Sequence, residues 1–245
     1  MKGVRDVELV SWQKALERLS QAVRSLVPEN GKLRVIEAGC GRNWGLDVDR
    51  NDCFITGIDM DRDALEARIS IHSDIDRPIV GDIQDAEIVD SGSSDLVYSA
   101  YVLEHLPLAE QAAKQWISWL DQSGALILVV PDANSAYGYL ARRTPHRFHV
   151  WVYRHVFGLT QAGTPGHGPY RVSYSRLMTV EGLLSFADEN GLEVDMILAI
   201  GNAQEHIKPL RRWLIVSAKR ALNLISGNRL SWRHDNIAVV LRKSG

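Results

Sequence analysis

Residues 33–38, 54–58, 96–99 and 125–130 are short apolar runs, and each stops at a loop rich in glycine, aspartate or serine. Segments with helical spacing, at 63–71 and 108–120, separate the later ones. Strands that alternate with helices are joined by crossovers and end up parallel, covered on both sides. The pattern therefore predicts an α/β fold: a doubly wound, mostly parallel sheet with helices on both faces. Ahead of the first strand, Leu9, Trp12, Leu16, Leu19, Val23 and Leu26 follow a helical period, and Pro28 with Asn30 and Gly31 closes that helix. Thr179 is placed to cap a later helix ending at Asn190 and Gly191, with strands expected at 194–200 and 237–241. A single domain over 1–245 is expected: helix 1–32, core 33–132, insertion 133–178, and closing helices and strands 179–245.

With 245 residues, 45% of them hydrophobic, the chain can bury a full core. Its two cysteines, Cys40 and Cys53, are too few for a disulfide framework and follow no zinc-ligand spacing, so no metal is expected. The first residues are charged and amphipathic, and the longest apolar runs are too short for a bilayer, which predicts a cytoplasmic protein. Charge is divided unevenly. Residues 1–132 hold 23 acidic and 13 basic side chains, whereas 133–245 hold 7 and 15. No acidic residue lies between Asp132 and Glu181, or between Glu205 and Asp235. Such stretches favour an anionic partner; a small molecule is expected and nucleic acid is not favoured.

The chemistry begins where the run Val35-Ile36-Glu37-Ala38 meets Gly39-Cys40-Gly41, a strand entering a turn whose glycines let a ligand approach the backbone. A dinucleotide fingerprint requires a third glycine at position 44, but Trp44 stands there, and no Tyr-x-x-x-Lys pair occurs, which argues against a nicotinamide oxidoreductase. Asp59 ends the second strand twenty residues after Gly39, where a carboxylate accepts hydrogen bonds from ribose hydroxyls. Asp82 and Ile83, after Gly81, suit the amine and the ring face of adenine. The expected ligand is a nucleoside.

In order and spacing, Glu37-x-Gly39-x-Gly41, Gly57-Ile58-Asp59, Gly81-Asp82-Ile83, Asp95 to Ser99 with Val102-Leu103-Glu104-His105-Leu106, and Gly124 to Leu128 resemble the class I S-adenosylmethionine-dependent methyltransferases, in particular those acting on small molecules. The resemblance covers roughly residues 33–132, with a weaker match at 179–191 and in the closing strand. It implies a Rossmann-like fold and S-adenosylmethionine as cofactor, held by Glu37, Ala38, Gly39, Gly41, Asp59, Met60, Asp82, Ile83 and Ser99. One departure stands out: the family carries a glycine-containing helix after this first turn, whereas Arg42 to Asp52 is short, polar and acid-rich.

Methyl transfer is an in-line displacement that needs alignment and exclusion of water more than catalytic groups. For a hydroxyl acceptor a base helps, and His105, His146 and His149 are candidates because histidine titrates near neutrality; His105 equally suits packing and hydrogen bonding at a helix start. The acid-free stretch 137–155 stands where this family carries its variable substrate cover. Arginines interleave with aromatics there, so Arg147, Trp151 and Arg154 are expected to hold an anion attached to an apolar body. Residues 163–169 are turn-rich and suit a lid.

In residues 209–225, Leu210, Leu214, Ala218, Ala221 and Ile225 share one helical face, opposite Lys208, Arg212 and Lys219. A basic amphipathic helix docks on an anionic membrane surface or packs on its own domain. Two functions remain open on sequence: a methyltransferase acting on an anionic, glycan-linked or lipid-linked acceptor, and a nucleoside-binding or membrane-docked protein of the same fold without turnover.

Overall fold

The computed structural model describes residues 7–155, 158–164, 168, 170, 172–201 and 209–243. Eight strands form one sheet: β1 (Glu8–Ser11), β2 (Leu33–Ala38), β3 (Cys53–Asp59), β4 (Arg77–Val80), β5 (Ser94–Ala100), β6 (Leu120–Pro131), β7 (Leu192–Gly201) and β8 (Asn236–Lys243). Their order across the sheet is β1-β7-β8-β6-β5-β2-β3-β4. Only β8 runs antiparallel to its neighbours, β6 and β7. The apolar runs read as strands because both faces are covered: residues 125–130 are buried without a break, as expected of central strands.

The chain runs outward from β2 through β3 to β4, then returns to the other side of β2 for β5 and β6. The switch between β2 and β5 leaves a crevice beyond their carboxyl ends, where ligands of open α/β sheets bind.

Helices α1 (Trp12–Arg24), α2 (Arg62–His72), α3 (Ala109–Trp119), α4 (Ala136–Arg143), α5 (His146–His155), α6 (Val180–Glu189) and α7 (Pro209–Ile225) complete the fold. Their starts are written in the sequence. Ser11, Asp61, Ser135 and Thr179 each accept a backbone N–H of the first turn of α1, α2, α4 and α6. Helices α3 and α6 cover one face of the sheet, where Trp116, Trp119 and Phe186 are fully buried. Helix α1 covers the other with Leu19 and Val23.

Three expectations are corrected. The N-terminal segment is not helical throughout: Ser11 caps α1 at Trp12, and Glu8–Ser11 pairs in parallel with β7 at the sheet edge. Leu9 fits the helical period yet lies in that strand, 47% exposed. Lys219 is not part of a solvated basic face, because it is buried in an ion pair with Asp235. The apolar stripe of α7 is not packed on the domain either, since Leu210, Leu214 and Ile225 face outward, 53–82% exposed. Lys208 lies outside the described residues.

The departure at Arg42 to Asp52 takes the form of an irregular loop closed by a single turn at Arg50–Asp52. Three aspartates, two asparagines and a glycine offer the backbone local partners in place of a helix. The loop is fastened down nonetheless. Leu46 is buried, Trp44 packs edge-on against Tyr98 with ring centroids 5.4 Å apart, and the Asp47 amide donates to Ser20 Oγ at 2.9 Å.

Candidate active site

At the switch point lies a cleft of about 890 Å³, a size that accepts a cofactor together with part of a second ligand. Its walls come from the turn after β2 (Gly39 to Asn43), the end of β3 (Asp59 to Asp61), Ile83 after β4, the segment after β5 (Ala100 to Val102, His105, Leu106) and Tyr170.

The glycine turn is anchored from three sides. Ile58 O accepts the amides of Gly39 and Cys40 at 2.9 and 3.1 Å, Asp59 Oδ2 accepts the Gly41 amide at 2.7 Å, and Arg68 donates to Cys40 O at 2.7 Å. Asp59 Oδ1 accepts the Asp61 amide at 2.9 Å, so each carboxylate oxygen keeps lone-pair capacity for a ligand. Gly39 has φ +73°, and a Cβ there would lie 2.4 Å from Val102 Cγ2, so close packing and backbone conformation both demand glycine.

Arg68 is fully buried behind the turn, 2.8 Å from Glu37 Oε2 and 3.0 Å from Asp74 Oδ1. The contact with Glu37 Oε2 is a charge contact lacking hydrogen-bond alignment, and that oxygen accepts no hydrogen bond. Burial pushes the Glu37 carboxyl up to about 7, against the pull of Arg68. Burial, then the nearby Glu37, pushes the Cys40 thiol up to about 12, so Cys40 is an inert spacer.

Of the residues expected around the cofactor, Gly39, Gly41, Asp59, Met60 and Ile83 line the cleft. Glu37, Ala38 and Ser99 sit behind it: Glu37 faces Arg68, and Ser99 Oγ donates to Ala38 O at 2.8 Å, bracing β5 against β2. Asp82 is exposed beside the cleft, with its carboxylate accepting the Gln84 amide at 2.9 Å. Ile83 is held in place by the Trp116 indole, which donates to its carbonyl at 3.0 Å.

Among the expected bases, only His105 lines the cleft, with Tyr170 edge-on at 5.6 Å. His146 and His149 lie on α5, where His149 lines a separate hollow beside Thr144. Arg147, Trp151 and Arg154 are not brought together at the cleft. Arg147 is exposed, Trp151 stacks on Phe148 at 6.0 Å on the outer face of α5, and Arg154 Nε donates to Ala162 O at 2.8 Å. Of the lid segment, Pro165, Gly166, His167 and Pro169 lie outside the described residues.

Sequence reasoning missed Arg68, Tyr101 and Glu104. Nothing local marks an arginine in α2 as buried. Tyr101 holds a left-handed φ of +59°, strain that collects at ligand sites. Glu104 is buried beside His105, and its Oε2 accepts no hydrogen bond. With burial opposed only by its own backbone amide, its carboxyl is pushed up to about 7 from 4.5. A folded-state value raised in this way gives stability that is complete below about 4.5 and is lost as pH rises through 7. Urea unfolding of Glu104→Gln at pH 5 to 8 is expected to remove on the order of 3 kcal/mol of wild-type pH dependence. Parallel curves would show that Glu104 is ionised without penalty.

A glycine turn at the switch point, an acid closing the next strand and an apolar floor after the third define a class, the S-adenosylmethionine-dependent methyltransferases with a Rossmann-like fold. The model of a methyltransferase domain family matches residues 10–197, and the chain belongs to that family. No curated protein matches the sequence. The fold is similar to the YcgJ protein of Bacillus subtilis (13% identity, TM-score 0.58, covering 95% of this chain and 99% of that one). It is also similar to a SAM-dependent methyltransferase of Archaeoglobus fulgidus (16%, 0.55, 94% and 94%). A third similar structure is the geranyl diphosphate C-methyltransferase of Streptomyces coelicolor A3(2) in complex with Mg2+, geranyl-S-thiolodiphosphate and S-adenosyl-L-homocysteine (12%, 0.53, 93% and 76%).

Proposed function

We propose that this methyltransferase acts at a membrane surface on an anionic, lipid-linked or glycan-linked small molecule. Bound S-adenosylmethionine supplies a methyl group on a sulfonium, a good leaving group. The chain's part is to grip the nucleoside and align the acceptor. Asp59 takes the ribose hydroxyls, Ile83 packs on the adenine ring with Asp82 near its amine, and Gly39 and Gly41 let the methionine portion approach the backbone beside Met60. Glu37, Ala38 and Ser99 act indirectly, by holding the turn. His105 is the base at the cleft for a hydroxyl acceptor. Arg147, Trp151 and Arg154 contribute positive and aromatic surface on the cover rather than a preformed acceptor pocket.

The membrane reading is carried by α7. Leu210, Trp213, Leu214, Leu224 and Ile225 are 53–82% exposed. Helical spacing puts Arg211 and Arg220 on the two borders of that face. No helix among the described residues is long and apolar enough to cross a membrane, so such a face suits lying in the interface, with cations toward anionic headgroups.

The protein is expected to sediment with vesicles containing anionic lipid, to be released by salt, and to ignore neutral vesicles. Trp213→Glu with Leu214→Glu should abolish sedimentation without changing affinity for S-adenosylhomocysteine. Wild-type protein that stays in the supernatant with anionic vesicles at low salt would overturn this reading.

A further inference from the structure

Helices α4, α5 and α7 enclose a second hollow, of about 180 Å³, separate from the cofactor cleft. Leu140, Ala141, Phe148, Val152 and Ile215 supply most of its wall. The polar side chains there are turned to one another: the Tyr137 and Tyr153 hydroxyls lie 3.1 Å apart, and His149 Nε2 hydrogen-bonds Thr144 Oγ1. An apolar space left between packed helices forfeits contacts on one side of its lining, and it stays dry or takes an apolar guest. Leu140 and Phe148 are 41% and 50% exposed at its rim, so the space opens outward.

We infer that this hollow receives the single alkyl or prenyl chain of an anionic amphiphile, which deepens the proposed function by identifying the acceptor's apolar part. Charge complementarity supports that occupant. Arg142 and Arg143 end α4, and Arg147 is exposed in the first turns of α5, in a stretch of chain without an acidic residue from 133 to 180. Arg142 also lies with its guanidinium over the Tyr174 ring, 5.4 Å from the centroid. A chain in the hollow thus leaves its anionic head beside the arginines that adjoin Ala141, Thr144 and Phe148 in the wall.

Calorimetry of the full-length protein with n-alkyl phosphates of increasing length, below their micelle concentrations, tests this without cofactor or turnover. Affinity is expected to rise about fourfold per methylene, then to level off when the hollow is full. Ala141→Leu, which fills it, should flatten the rise while leaving S-adenosylhomocysteine affinity and melting temperature unchanged. The same rise in Ala141→Leu, or a rise without a plateau in wild type, would mean adsorption on the outer face of α7 and would overturn the inference. If lipid extracts are methylated but alkyl phosphates show no chain-length dependence, the hollow fails alone. If the dependence is present but no lipid is methylated, the proposed function fails alone.

Discussion

Gly39→Ala is expected to weaken binding of S-adenosylmethionine and S-adenosylhomocysteine by at least about 30-fold. The left-handed backbone costs an alanine about 1–2 kcal/mol. Its Cβ, built 2.4 Å from Val102 Cγ2, also forces out a side chain that lines the cleft, and overpacking of this kind costs roughly 1–3 kcal/mol. The turn relieves both by leaving the conformation that Ile58 O, Asp59 and Arg68 hold at the wall of the cleft. Gly31→Ala is the control. Gly31 has φ +107° but open space around it, so that variant loses stability and keeps its affinity. Calorimetry with S-adenosylhomocysteine separates the two, and unchanged affinity in Gly39→Ala would remove the turn from the cofactor site.

Arg68→Ala is expected to lower stability by about 3–5 kcal/mol, the cost of leaving buried charge without its partner. Arg68 neutralises Glu37 and Asp74 together and also holds Cys40 O, so its loss reaches both the core and the turn. Arg68→Lys should recover little, since one ammonium cannot reproduce the guanidinium fork that reaches all three acceptors. Adding Glu37→Gln to Arg68→Ala should restore part of the loss, because one buried carboxylate is then gone. Urea unfolding measures all three, and a loss below about 1 kcal/mol in Arg68→Ala would mean that water replaces the guanidinium.

The central strands were legible because burial on both faces writes itself as an uninterrupted apolar run, as at 125–130. Helix starts were legible where one side chain does the capping, as Thr179 does. The edge strand Glu8–Ser11 was not, since its four residues have only one buried position, Val10, and its pairing partner β7 lies nearly 190 residues on. In α7 the helical period revealed an apolar face and a basic face but not which one points inward. That was decided by Lys219, whose partner Asp235 lies beyond the helix and is invisible to local spacing. For the candidate site, short motifs pointed to Gly39, Gly41, Asp59 and Ile83, which line one cleft because backbone turns at strand ends bring them there. Composition picked out the arginine-rich cover but could not say where its side chains point. Arg154 spends its Nε donor on its own chain.

The proposed reaction is methyl transfer to an anionic lipid-linked acceptor. The most direct measurement incubates the protein with methyl-labelled S-adenosylmethionine and, separately, the lipid extract and the aqueous metabolites of the same cells. Label is expected in a lipid-phase product that carries negative charge, and much less of it with Asp59→Ala at donor concentrations below saturation, since the lost ribose hydrogen bonds cost roughly 1.5–3 kcal/mol of cofactor binding. Label confined to water-soluble or macromolecular products, or no transfer by protein that binds S-adenosylmethionine, would contradict it.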